Sequence, residues 1–406
     1  MTLSETPGRL EPMILTDISP EVTETVAELA ALTAVLGKAL HPHTARELTA
    51  IVRIMNCYYS NLIEGHHTRP REIERALGGD LDADPHKRNL QIEAVAHIGV
   101  QQLVDMAFEE GGNQPDPAST GYIRFLHESF YWGLPEEMRL IKGHDREFLM
   151  EPGVFRTAPE HDVEVGQHVP PSSDRVEAFM ARFSEVYSTN RLGSPARQIL
   201  AVPAAHHRLA YIHPFADGNG RVARLMTHAM ILKAGYGAHG LWAISRGLAR
   251  GLDDKGEYKA MMAHADMPRQ GDRDGRGNLS LKALNEFTLW FLRVCVDQVA
   301  YMSGLFDLRM LADRLTHMVR LDPYLKPEAA ALLRAALHRG EFPRGEAGTI
   351  TGLGERTARD LLSTLVQMNL LGSENPKGPV SLRFPTRTHE ILFPRLFIDV
   401  ETLNQG

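Results

Sequence analysis

The stretch YIHPFADGNGRVARL, residues 211 to 225, sets one histidine, one aspartate, an asparagine between two glycines and two arginines close together. Upstream, ARQILAVPAAHHRLAYI keeps helical periodicity to about Ile212, and downstream RVARLMTHAMILKAGY resumes it. The eight residues HPFADGNG between them cannot be helical throughout, so the stretch reads as a helix–loop–helix joint. Gly218 and Gly220 let the backbone fold tightly and present successive N–H groups at the positive end of the following helix, which makes an anion cradle. Arg221 and Arg224 lie three apart in its first turn and can clamp further phosphate oxygens. A polyphosphate suits such a loop.

Other residues of the loop suit the same guest. Asp217 is a hard oxygen ligand for a Mg²⁺ held mainly by phosphates and water. Asn219 can donate its amide to a phosphate oxygen. His213, with a near-neutral pKa, can take a proton from an incoming hydroxyl. Phe215 is read as an anchor pointing into the core. Each feature alone has a structural explanation, but the pattern H-x-F-x-D-G-N-G-R-x-x-R specifies eight of twelve positions.

The rest of the chain predicts a mainly α protein. It has 406 residues, 43% hydrophobic and 23% charged, enough for two or three domains. Helical patterns cover roughly 21–40, 44–62, 89–109, 119–132, 173–188, 195–211, 220–234 and 278–318. Gly65 is expected to cap the second of these in a left-handed conformation. VFRTAPEHDVEVGQHVPP, residues 154 to 171, suits a short β-hairpin or flap. The two cysteines, Cys57 and Cys295, show no metal or disulfide spacing. The N-terminus lacks the pattern of a signal peptide, and Arg293 and Asp297 interrupt the longest apolar run, so a cytoplasmic protein without membrane spans is expected. A net charge of −7 argues against a protein built as a whole to coat nucleic acid.

HPFADGNGRVAR resembles the signature of the Fic (filamentation induced by cAMP) domain family, whose members mostly transfer AMP from ATP to a hydroxyl of a target protein. The resemblance implies His213 as general base, Asp217 as Mg²⁺ ligand, Gly218, Asn219 and Gly220 as the phosphate cradle, and Arg221 and Arg224 as partners of the β- and γ-phosphates. SNLIEG, residues 60 to 65, resembles the family's inhibitory motif S-x-x-x-E-G, with Glu64 reaching Arg224 in place of the γ-phosphate. A carboxylate can pair bidentately with that guanidinium. The flap resembles the family's target-binding hairpin, which implies that Val165, Gly166, Gln167 and His168 line the nucleotide and that the target adds as a strand. Tyr258 matches a family tyrosine near the base.

From about Pro323 the helices KPEAAALLRAALHRG, GEAGTITGL and GERTARDLLSTLVQMNLL, followed by PVSLRFP, resemble a winged helix-turn-helix. Basic and acidic residues nearly balance there, which favours a dimerising or target-docking role over DNA capture. The expected layout is therefore an N-terminal helical region carrying the inhibitory helix (1–115), a Fic core with a β-hairpin flap (116–320) and a winged helix-turn-helix (321–406). The expected function is autoinhibited transfer of AMP from ATP, with Mg²⁺, to a Ser, Thr or Tyr of a protein target, by a homodimer. The alternatives are a nucleotide-sensing DNA-binding regulator and removal of AMP by the same site.

Overall fold

In the computed structural model, which describes residues 5–109, 114–143, 146–163 and 168–397, helices α1 (Pro20–Lys38), α2 (Pro42–Ile63), α3 (Pro70–Leu77) and α4 (Pro85–Ala107) each begin at a proline. Proline suits this position because its fixed φ is already helical and its missing N–H would have no intrahelical partner. α5 (Thr120–Tyr131) and α8 (Pro195–Ile212) start behind Ser119 and Ser194, whose hydroxyls accept from Tyr122 N and Arg197 N. α6 (Val176–Tyr187) and the single turn α7 (Thr189–Leu192) precede α8. Then follow α9 (Asn219–Lys233), α10 (Ser245–Arg250), α11 (Glu257–Ala265), α12 (Leu281–Leu305), α13 (Leu308–Leu321), α14 (Ala329–Arg339), α15 (Ala347–Thr351), α16 (Glu355–Gln367) and α17 (His389–Leu392). The fold is mainly α, as expected.

The chain forms two compact units. One comprises residues 1–33, 56–237 and 243–298; the other comprises 34–55, 238–242 and 299–406. At the centre of the first, α8 packs along α9, α4 and α5 cover α9, and α6 covers α8. Both central helices are buried on nearly every side, which explains why α9 carries apolar residues all round rather than on one stripe. α2 ends as the sequence predicts. Gly65 turns left-handed at φ 83°, and His66 N donates back to Asn61 O at 2.9 Å, closing the helix end.

Strands β1 (Leu140–Lys142) and β2 (Glu147–Leu149) form an antiparallel hairpin, with Ile141 opposite Phe148. The sequence reading placed its hairpin further on, at 154–171. Residues 164–167 of that span, Val165, Gly166 and Gln167 among them, lie outside the described residues; of the rest, Pro159 opens a 3₁₀ turn, Pro159–His161, Arg156 N bonds to Pro214 O, and His168 makes a β-bridge.

In the second unit, α14, β3 (Glu341–Phe342), α15, α16, β4 (Leu371–Gly372) and β5 (Val380–Leu382) follow one another, and the strands pair antiparallel in the order β3-β5-β4. α16 buries Ala358, Leu361, Leu362 and Leu365, a stripe of three- and four-residue spacing. The helical pattern expected over 278–318 is broken in the structure. α12 stops at Leu305, and the Asp307 side chain accepts from Met310 N at 2.9 Å, which caps α13 and starts a new helix within a continuous apolar periodicity. Among the described residues, no helix is long and apolar enough to cross a membrane.

Candidate active site

The site is built on the turn between α8 and α9. His213 is the residue after α8 and takes a left-handed conformation, φ 51° and ψ 60°. Gly218 caps α9 at φ 79°, where a Cβ would stand 2.8 Å from the Tyr131 ring, so glycine is required twice over. Asn219 closes the loop on itself. Its Oδ1 accepts from Phe215 N at 2.9 Å and its Nδ2 donates to Phe215 O at 2.8 Å. The sequence reading gave that amide to a phosphate, whereas here it serves the loop. Phe215 is fully buried and stacks on His127 at 3.8 Å between ring centroids. His127 Nδ1 accepts from Gly153 N at 2.9 Å, which leaves its Nε2 to donate to Asp217 O at 3.3 Å.

Charges cluster on the α9 side of the loop. Asp217 Oδ2 accepts from Tyr131 Oη at 2.7 Å and from Arg221 Nη2 at 3.0 Å. Burial pushes the Asp217 carboxyl up, but Arg221, the Tyr131 hydroxyl and the Gly218 amide outweigh it and hold the group below its ordinary value. Arg221 is buried over the face of Phe130, 4.9 Å from the ring centroid, and its Nη1 meets Glu93 Oε1 at 2.8 Å. Burial opposes its charge, yet Tyr131, Glu93, Asp217 and Glu64 together raise its pKa.

Arg224, one turn on, reaches α2. Its Nε donates to Ser60 Oγ at 2.9 Å, and its Nη2 meets Glu64 Oε1 at 2.6 Å. The contact uses one carboxylate oxygen, rather than the two of the expected bidentate pair. Burial would raise Glu64, but the charge and hydrogen bond of Arg224, with help from Arg221, hold it below the usual carboxylate range. Gly220 makes room for this docking, since a Cβ there would lie 2.5 Å from Glu64 Oε1. Tyr258 bonds to Arg224 and, at 2.9 Å, to His206 Nε2, and burial pushes its phenol up to about 12. Glu64, Arg224, Tyr258 and His206 thus form one connected network.

His213 is held by its backbone. Its N bonds to Leu209 O at 3.0 Å and its O accepts from Arg156 Nε at 2.8 Å. Burial, with the nearby Arg156 charge, pushes its imidazole down to about 4, so the ring is neutral at physiological pH and able to accept a proton. His168 Nε2 is engaged with Tyr211 O at 2.7 Å, which ties this residue of the expected flap to α8.

The sequence reading overlooked Arg156, Glu93, Tyr131 and His127. Glu93 left a signal, a carboxylate on the apolar face of α4; the others left none, because the loop atoms they hold are more than fifty residues away.

Comparison with known proteins bears on the fold and the family. The fold is similar to that of a Fic family protein from Desulfovibrio desulfuricans G20, with a TM-score of 0.52 at 20% identity over 91% of this chain and 98% of that one. Residues 134–231, which include the His213–Arg224 loop, match the Fic/DOC family, so the chain carries a Fic domain. Among curated relatives, a protein adenylyltransferase Fic from Nematostella vectensis is 28% identical over 179 residues, 44% of this chain and 37% of the relative. One of the same name from Drosophila willistoni is 37% identical over 87 residues, 21% of this chain and 17% of the relative. The chain therefore spans well under half the length of these relatives.

Proposed function

We propose that this chain is a protein adenylyltransferase that moves AMP from ATP to a Ser, Thr or Tyr hydroxyl of a protein target, and that Glu64 holds it inactive. The observation that carries the reading is the 2.6 Å ion pair between Glu64 and Arg224, one turn of α9 beyond the loop that holds the neutral His213. In this reading the acceptor oxygen attacks the α-phosphorus, its proton passes to His213, and the bond to the β-phosphate oxygen breaks to release pyrophosphate. General-base assistance of this kind is worth about 10²–10⁴-fold. The Gly218–Gly220 turn at the start of α9 offers N–H groups to phosphate, and Arg224, once released by Glu64, offers a guanidinium.

Asp217 suits a Mg²⁺. It is ionised, and one of its oxygens is fixed by Tyr131 and Arg221. A single carboxylate beside a phosphate cradle matches an ion that takes its other ligands from phosphate and water. When bound, the ion would supply neutralisation of the phosphate charge.

Residues 329–382 belong to the same reading as a winged helix-turn-helix, supported by their helix–strand–helix–helix–strand–strand order, and serve to dock the target or a second copy of the chain. The functional division at about residues 115 and 320 follows from it. The test is to incubate wild type, Glu64→Gly and Glu64→Gly/His213→Ala with ATP, Mg²⁺ and a cell lysate, and to search by mass spectrometry for adenylylated side chains. Adducts formed by the Glu64→Gly protein alone support the proposal. Their absence there, or equal formation by the double variant, refutes it.

A further inference from the structure

We propose that Arg156 is the positioning residue of the site: it fixes the backbone of His213 and ties it to the turn at Pro171–Ser173. The inference rests on the reading of His213 as the base.

α8 ends at Ile212, so its last carbonyls have no intrahelical partner. Arg156 supplies one for the last of them, Ile212 O, and for the two carbonyls that follow the helix. Its Nε donates to His213 O at 2.8 Å, its Nη2 to Ile212 O at 3.2 Å, and its own backbone N to Pro214 O at 2.8 Å. Three consecutive carbonyls around the left-handed residue are thus held by one side chain and its amide. The same guanidinium reaches the segment that follows the 3₁₀ turn. Nη2 donates to Pro171 O at 2.8 Å, and Nη1 donates to Ser173 Oγ at 2.9 Å and lies 3.4 Å from Asp162 Oδ1. Asp162 in turn accepts from Ser173 N at 2.8 Å and Ser173 Oγ at 2.7 Å.

Arg156 is 1% exposed, and all five of its side-chain N–H groups are used. A guanidinium spent on backbone carbonyls of two separate segments has a geometric task, and lysine cannot repeat it, because an ammonium lacks the planar fork. Arg156 also brings a positive charge to the imidazole. The charged or titratable groups facing His213 are Arg156, His168 and Asp217, of which Arg156 acts most strongly, disfavouring the imidazolium. Position and charge can be separated by substitution. Arg156→Lys keeps the charge and loses the fork; Arg156→Gln loses both.

The experiment uses the full chain with Glu64→Gly as parent and measures kcat and the KM for ATP across pH. Displacing a catalytic group by about 1 Å costs roughly 10²-fold, so Arg156→Lys is expected to lower kcat by about that factor with little change in KM. Its acid limb in kcat/KM should stay in place. Arg156→Gln is expected to lose a similar factor and to move the acid limb to higher pH, since the imidazolium is no longer opposed. Parental kcat in the lysine variant, or an unmoved limb in the glutamine variant, overturns the proposal. A residue that merely supported the fold would reduce the folded fraction without moving the limb. If the parent shows no transfer at all, the adenylyltransferase reading fails separately, and the His213 imidazole is titrated directly by ¹³C NMR. A higher pKa in Arg156→Gln then supports the contact, and an unchanged one refutes it.

Discussion

Replacing Glu64 by glutamine keeps the shape of the side chain and removes its charge, so it isolates the electrostatic part of the contact with Arg224. Arg224 is nearly inaccessible, with a side chain 1% exposed, whereas the Glu64 side chain is 32% exposed. The pair therefore falls between a surface ion pair, worth about 0–1 kcal/mol, and a fully buried one, where removing a partner costs about 3–5 kcal/mol. A hydrogen bond to a charged group contributes about 1.5–3 kcal/mol and a neutral one about 0.5–1.5. The glutamine amide can still accept from the charged Arg224 Nη2 and loses only the ion–ion attraction, so the change removes about 1 kcal/mol, or roughly fivefold. Glu64→Gly removes the whole contact and leaves Arg224 on Ser60 and Tyr258, which gives about ten- to a hundredfold. Initial rates of AMP incorporation should therefore rise in the order Glu, Gln, Gly, and added salt should activate the wild type, because the Glu64 side of the pair is open to screening. Equal rates in all three proteins, or a slower glycine variant, would refute the reasoning.

Two further perturbations test the architecture of the site. His66 Nδ1 lies 3.0 Å from Glu93 Oε1, a bond that raises the His66 pKa above its ordinary 6.5. Stability from this pair is complete below about pH 6.5 and fades as pH rises through the raised value; denaturation midpoints from pH 5 to 8, on the order of the window set by this titration, should show that loss in wild type and not in His66→Gln. Gly218→Ala places a Cβ 2.8 Å from the Tyr131 ring at a φ of 79°. The backbone strain alone costs about 1–3 kcal/mol, so the thermal midpoint should fall by several degrees, and an unchanged midpoint would contradict the geometry.

How much of this was legible in the sequence follows from how local each signal is. The turn between α8 and α9 carries its histidine, glycines, Asn219 and arginines within twelve residues, and the Gly65 cap lies within six, so pattern alone located them. The contact of Glu64 with Arg224 spans 160 residues and was reached only through resemblance to a family. Arg156, Tyr131 and His127 act across 57 to 90 residues on backbone atoms or single oxygens, and no local periodicity marks them. The break between α12 and α13 escaped because Leu311, Leu315 and Val319 continue an apolar stripe past the cap at Asp307. The hairpin at 140–149 has strands of three residues, too short for alternation to stand out, whereas the centre of the flap expected after Val163, residues 164–167, lies outside the described residues.

The most direct test of the central claim compares ATP labelled at the α-phosphate with ATP labelled at the γ-phosphate, using the Glu64→Gly protein with Mg²⁺ and a lysate, with and without His213→Ala. The account predicts that, above the labelling of the lysate alone, protein gains the α-label and not the γ-label, and that loss of His213 removes the α-label. Label from the γ-phosphate above that of the lysate alone, or α-labelling that survives without His213, would contradict it.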